Sequence, residues 1–241
     1  MSAVLPIYST QAAPAPMAGW LQRVLQPVLE ACRFERGLPV EVRPTGAWSG
    51  WCASPNEAPD RRIAMSKKIC FWTAENIVSV YLHESAHRFL EAREIAAHGP
   101  EFFCLNAILL LRSASCFRLN PLSKLDFFYD LQDAPAGIEN DPDWRSICLA
   151  WALPVAAEFA ANDTSAEALA DAVCQRFQDF LQDRETTRVQ AAQKVVAARK
   201  YAAAQVEKIE RLQSSIFFTR TFLVVGWLCF FVGVYFVSLT M

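Results

Sequence analysis

His83-Glu84-Ser85-Ala86-His87 and, eleven residues further on, His98-Gly99-Pro100-Glu101-Phe102 hold all three histidines of the chain. Successive residues of a helix turn by about 100°, so positions four apart stand within ~40° of each other, one turn along. His83 and His87 can then aim two imidazoles at one ion. Glu84, from the neighbouring side of the same face, can take a proton from a zinc-activated water and deliver it to a leaving amine. His-Glu-x-x-His on a helix is the pattern of zinc hydrolases. A catalytic zinc takes three protein ligands and leaves one position open. His98 is the remaining histidine, and Gly99-Pro100 permits the turn that would bring it back to the ion. A third histidine at position 93 with glycine at position 90 would mark a metzincin; Leu90 and Arg93 stand there instead. Glu91, Glu94 and Glu101 are candidates to orient a ligand imidazole through its second nitrogen.

These two blocks resemble the SprT-like zinc metallopeptidase family, which includes the Spartan-type proteases. The resemblance covers roughly residues 20–115 and includes the order helix, strands, metal helix, turn, helix. It implies a zincin-like domain in which His83, His87 and His98 bind one Zn2+ and Glu84 is the general base. Spartan-type proteins cleave proteins crosslinked to DNA, and many relatives carry a zinc ribbon. This chain has no C-x-x-C pair among its eight cysteines and a formal net charge of −2. The resemblance therefore supports the reaction more strongly than a DNA-linked substrate, and the cysteines are expected as reduced thiols.

The positioning elements follow from periodicity and breakers. Residues 19–36 read as a helix, with Pro27 as its weak point. Leu38–Arg43 reads as a strand, Gly46–Trp51 as a second, and Arg61–Cys70 as a third. Asn56, Pro59 and Asp60 supply turn chemistry. Thr73 is a plausible N-cap for a helix running to about Ala97. Pro100 suits the first turn of the next, 101–113. A loop-rich stretch then leads to an apolar helix near 144–161. If Arg61–Cys70 borders the cleft, it can accept an extended peptide as an added strand, with Arg61, Arg62, Lys67 and Lys68 around it. The same cations equally serve to guard an exposed edge.

From Thr164 the composition shifts to Ala, Gln, Glu, Lys and Arg without Gly or Pro until Gly226. Thr164-x-x-Glu167 reads as a capping box. Val195, Ala198, Ala202, Ile209, Leu212 and Ile216 fit a loose heptad, interrupted at Arg188 and Gln205, through which copies of the chain could associate. Thr221–Met241 is uncharged and just long enough for an apolar membrane span. Lys208, Arg211 and Arg220 before it would keep the catalytic domain in the cytoplasm.

The expected fold is thus α+β: an irregular segment over 1–18, a zincin-like metallopeptidase domain (small sheet plus active-site helix) over 19–161, a long helix or coiled coil over 162–215, and a C-terminal transmembrane anchor over 216–241. The expected function is a membrane-anchored, zinc-dependent endopeptidase acting on protein substrates. Its alternatives are a non-enzymatic membrane scaffold, and a protease acting on DNA-associated proteins, which would make nucleic acid a partner.

Overall fold

The computed structural model describes residues 7–8, 15–43, 50–52, 62–93 and 97–239. They form four strands, β1 (Ile7–Tyr8), β2 (Val40–Arg43), β3 (Gly50–Cys52) and β4 (Ile63–Ser66). Five α-helices accompany them: α1 (Ala15–Cys32), α2 (Ala74–Leu90), α3 (Pro100–Arg112), α4 (Trp144–Ala160) and α5 (Ala166–Leu239). The chain divides into two compact units, Met1–Leu181 and Gln182–Met241.

The proportions correct the expected α+β class. Helix dominates the described residues, and only β2 and β4 reach four residues. Two local causes keep the strands short. Pro39, immediately before β2, has no N–H to offer a ladder. After Ser66 the chain curls into a 3-10 turn over Lys67–Phe71, where the Ser66 hydroxyl accepts the Lys68 N–H at 3.3 Å. The strand expected to reach Cys70 ends there. Sheet order is β1-β2-β4-β3, with β4 parallel to β2 and antiparallel to β3. Both edges of β4 are therefore paired over Ile63–Met65, and strand addition at Arg61–Cys70 is ruled out there. Of the flanking cations, Arg62 instead joins Arg43 on the buried Glu41 carboxylate, at 3.4 and 2.9 Å. Arg61, the Gly46 and Trp48 positions, and the Asn56–Asp60 turn lie outside the described residues.

Helix α1 runs through Pro27 and starts four residues earlier than its periodicity suggests. It ends where Arg33 takes a left-handed φ of 58°. Helix α3 forms the centre of the first unit: Pro100 and every residue from Phe102 to Leu110 are buried, as expected of a helix apolar all round. It packs on α2 and α4. The Arg112 guanidinium at its end donates to the carbonyls of Cys32, Phe159, Asn162 and Thr164, tying together the ends of α1 and α4 and the entry to α5. At that entry Ser165, not Thr164, caps: its hydroxyl accepts the Ala168 N–H at 3.4 Å. Glu167 reaches across the fold to the Glu35 and Arg36 N–H groups, so the capping box read at Thr164 does not close. Leu169, Ala170, Val173 and Phe177 complete the core.

The second unit, taken by itself, is the remainder of α5. Val195, Ile209, Leu212 and Ile216 of the heptad seam are exposed along it. The transmembrane anchor expected over 216–241 is not supported: among the described residues no helix is long and apolar enough to cross a membrane. Within the expected span, the side chains of 218 and 229–241 lie outside the described residues. The cytoplasmic orientation drawn from Lys208, Arg211 and Arg220 loses its premise with the span.

Candidate metal centre

Helix α2 begins as its sequence suggests, with the Thr73 hydroxyl accepting the Asn76 N–H at 3.3 Å. Glu75 sits in the first turn, where the helix dipole favours a carboxylate. The helix stops at Leu90, and Glu91–Arg93 continue as a 3-10 turn. His98 stands directly before α3, with Gly99 as its N-cap and Pro100 in its first turn.

The three expected ligands come together. His87 Nε2 lies 3.2 Å from His83 Nε2 and 3.2 Å from His98 Nε2. One ligand atom from each residue can be chosen so that all lie within 4.8 Å of one another. Two nitrogens bound to one tetrahedral ion at 2.0–2.1 Å stand roughly 3.3 Å apart, so the two short separations fit a shared ion. On the His83 ring the outward nitrogen already has an acceptor that holds a proton there. His83 Nδ1 is 3.1 Å from Asp130 Oδ1, whereas at His98 Nδ1 the neighbour is the donor nitrogen of the Gln132 amide. A neutral imidazole that donates through Nδ1 presents a lone pair at Nε2. The three residues can thus hold a metal ion.

The environment favours the neutral form of the His87 and His98 rings. Burial first, then the neighbouring His83 and His98, lowers the His87 pKa to about 3. Burial and His83 likewise lower His98, against the opposing pull of Asp130 and Asp133. Phe102, fully buried, forms the floor: its ring stacks on His87 at 4.1 Å and meets His83 and His98 edge-on at 4.9 and 5.1 Å. Tyr129 packs from the other direction, 4.6 Å from His98 and stacked on His83 at 6.1 Å.

Glu84 is mostly buried on α2 beside the first ligand. Its charge is felt at Tyr129: burial, then Glu84, then Asp130 raise that phenol above its ordinary pKa, so it stays protonated at neutral pH. The imidazole-orienting residues differ from those the sequence suggested. Glu91 pairs with Arg88, burial raises the Glu101 carboxyl in the first turn of α3, and Glu94 lies outside the described residues. The partners at His83 and His98 come instead from the loop over 126–133. Asp133 accepts the His98 N–H at 3.0 Å, and the His98 carbonyl accepts the N–H groups of Gln132 and Asp133. The only local signal was the run Asp126-Phe-Phe-Tyr-Asp130-Leu-Gln-Asp133, carboxylates spaced among large apolar residues.

Comparison of the chain with protein-family models, curated proteins and solved structures gives no match.

Proposed function

We propose that this chain is a zinc-dependent peptidase of the SprT-like kind, in which His83, His87 and His98 bind the metal and Glu84 is the general base. The observation that carries the reading is the convergence of three imidazole nitrogens, with His87 Nε2 at 3.2 Å from each of the other two and the set within 4.8 Å, one residue away from a mostly buried carboxylate. Histidine ligands and an adjacent glutamate suit zinc hydrolysis better than calcium or magnesium, which prefer oxygen ligands.

Zinc supplies Lewis acidity at this point, enough to make water a nucleophile near neutral pH. The chain's own residues do the rest. Glu84 accepts a proton as the water oxygen bonds to the peptide carbonyl carbon. It returns that proton to the amine nitrogen as the C–N bond breaks. Asp130 keeps the His83 proton on Nδ1, so that ring holds its aim through the cycle.

The test is metal analysis and cleavage of an unfolded protein substrate by full-length protein and its Glu84→Gln variant. Zinc near one equivalent in both, with cleavage reduced by about 10²–10⁴-fold in the variant, is the expected result. Equal cleavage by the two proteins would refute the role of Glu84. Zinc-loaded wild type without hydrolysis would refute the peptidase reading.

A further inference from the structure

We infer that the turn Asp126–Asp130 is a preformed apolar subsite, with Tyr129 as its wall, that receives an apolar side chain of the substrate next to the bond being cut; this rests on the peptidase reading above.

Three successive aromatic residues occupy this turn, and they have different surroundings. Phe127 is 41% exposed and packs on the buried Phe103, with ring centroids 5.6 Å apart. Phe128 is 78% exposed and Tyr129 46% exposed. Large aromatic surface facing water beside a concentrated functional group is the kind of patch that marks a binding site. Tyr129 stacks on His83 and packs against His98, so whatever lies on its open part lies next to the metal ligands.

The turn is also rigid. Asp126 Oδ1 accepts the N–H groups of both Phe128 and Tyr129 at 3.0 Å. The Asp130 N–H donates to the Asp126 carbonyl at 2.7 Å, and the Asp126 N–H donates to Asp130 Oδ2 at 2.9 Å. Asp130 spends its other oxygen on His83. The backbone that carries the aromatic rings is therefore locked to a ligand, and little ordering remains to be done on binding.

Charge selects against the alternatives. An anionic side chain on this wall would lie beside the Asp130 carboxylate, which sits 3.1 Å from His83 Nδ1. A cationic one would gain the ring face but lie beside a dication. An apolar side chain meets neither penalty.

The experiment uses zinc-loaded full-length protein, acetohydroxamate as a metal probe without a side chain, and N-acetylated hydroxamates of phenylalanine, lysine and aspartate. Preference is the ratio of each dissociation constant to that of acetohydroxamate within one variant, so any change in metal affinity cancels. The phenylalanine probe is expected to bind at least about tenfold more tightly than the lysine and aspartate probes, equivalent to about 1.4 kcal/mol. Tyr129→Phe should keep this preference, Phe128→Ala should reduce it, and Tyr129→Ala should bring it within about threefold of unity, or about 0.7 kcal/mol. Equal binding of the three side chains to wild type overturns the inference and leaves the metal site standing. Loss of preference in Tyr129→Phe also overturns it, since the hydroxyl rather than the apolar wall would then be the recognising group. Failure of acetohydroxamate to bind wild type overturns the reading beneath it, and the inference with it.

Discussion

Helix α2 supplies His83 and His87 through its own repeat, whereas the loop over 126–133 reaches the same centre from 34 residues beyond His98. The helix aims its ligands by backbone hydrogen bonds every residue makes. The loop aims its residues by side-chain bonds particular to it: Asp126 on two N–H groups, Asp130 on His83, Asp133 on the His98 N–H. One half of the site is generic structure carrying special residues, and the other is special structure throughout. If that contrast is right, damage to ligands, floor, loop and helix should separate cleanly in metal affinity and in stability.

The largest effect belongs to the ligands. His98→Ala removes the ligand that closes the set, and metal affinity should fall by more than the about 10–100-fold typical of losing an outer partner. Zinc titration against a competing chelator measures it. Binding that survives within tenfold would mean that two histidines and solvent suffice. Phe102→Ala comes next, and it acts on stability: an aromatic ring lost from a fully buried site costs about 3–5 kcal/mol, read as a lower denaturant midpoint of the metal-free protein.

Asp130→Asn tests the loop directly. The amide keeps the shape but weakens the hold on the His83 Nδ1 proton and on the Asp126 N–H. Zinc affinity should drop by about 10–100-fold, with the metal-free fold largely intact. A drop confined to stability would make the loop a structural strap and not a positioning device.

Acidity sharpens the same contrast in the metal-free protein. Burial, followed by His83 and His98, pushes the folded His87 down to about 3 from its ordinary 6.5. Between those values the unfolded chain binds a proton that the folded site refuses. The contribution is thus present above about pH 6.5 and is lost as pH falls towards about 3, with a slope no steeper than about 1.4 kcal/mol per pH unit. Denaturant midpoints from pH 7 to pH 4 should show this slope, and His87→Gln should flatten it.

What could be read in the sequence followed the same division. The His83/His87 pair, the Thr73 cap and helix α3 each rest on spacings of a few residues, where helical geometry alone relates residue types to positions, and His98 was found as the remaining histidine after a Gly-Pro turn. Asp130 and Gln132 could not be found that way, because nothing local distinguishes an aspartate that supports an imidazole from a solvated one. The position of β4 between two partners was hidden for a related reason: strand order depends on chain crossings, not on the alternation within Ile63–Ser66. The glutamate at 167 had the right spacing for a capping box, but the N–H groups of Glu35 and Arg36 claimed it across 132 and 131 residues. The apolar run from Thr221 matched the length rule for a span, a composition test that says nothing about what its residues meet.

The smallest perturbation separates helix from loop most sensitively. Thr73 stands ten residues before His83 and satisfies one N–H of the first turn of α2. Thr73→Ala leaves that donor to solvent and should cost about 1 kcal/mol of stability. The ligands lie beyond the frayed first turn, in a stretch where Tyr81, Leu82, Ser85 and Ala86 are buried, so their aim is set by packing and by the loop. Zinc affinity of Thr73→Ala should therefore match wild type within about twofold, while Asp130→Asn falls by tenfold or more. If Thr73→Ala loses zinc as Asp130→Asn does, fraying at the helix start reaches the ligands, and the helix and the loop are one cooperative unit rather than two independent supports.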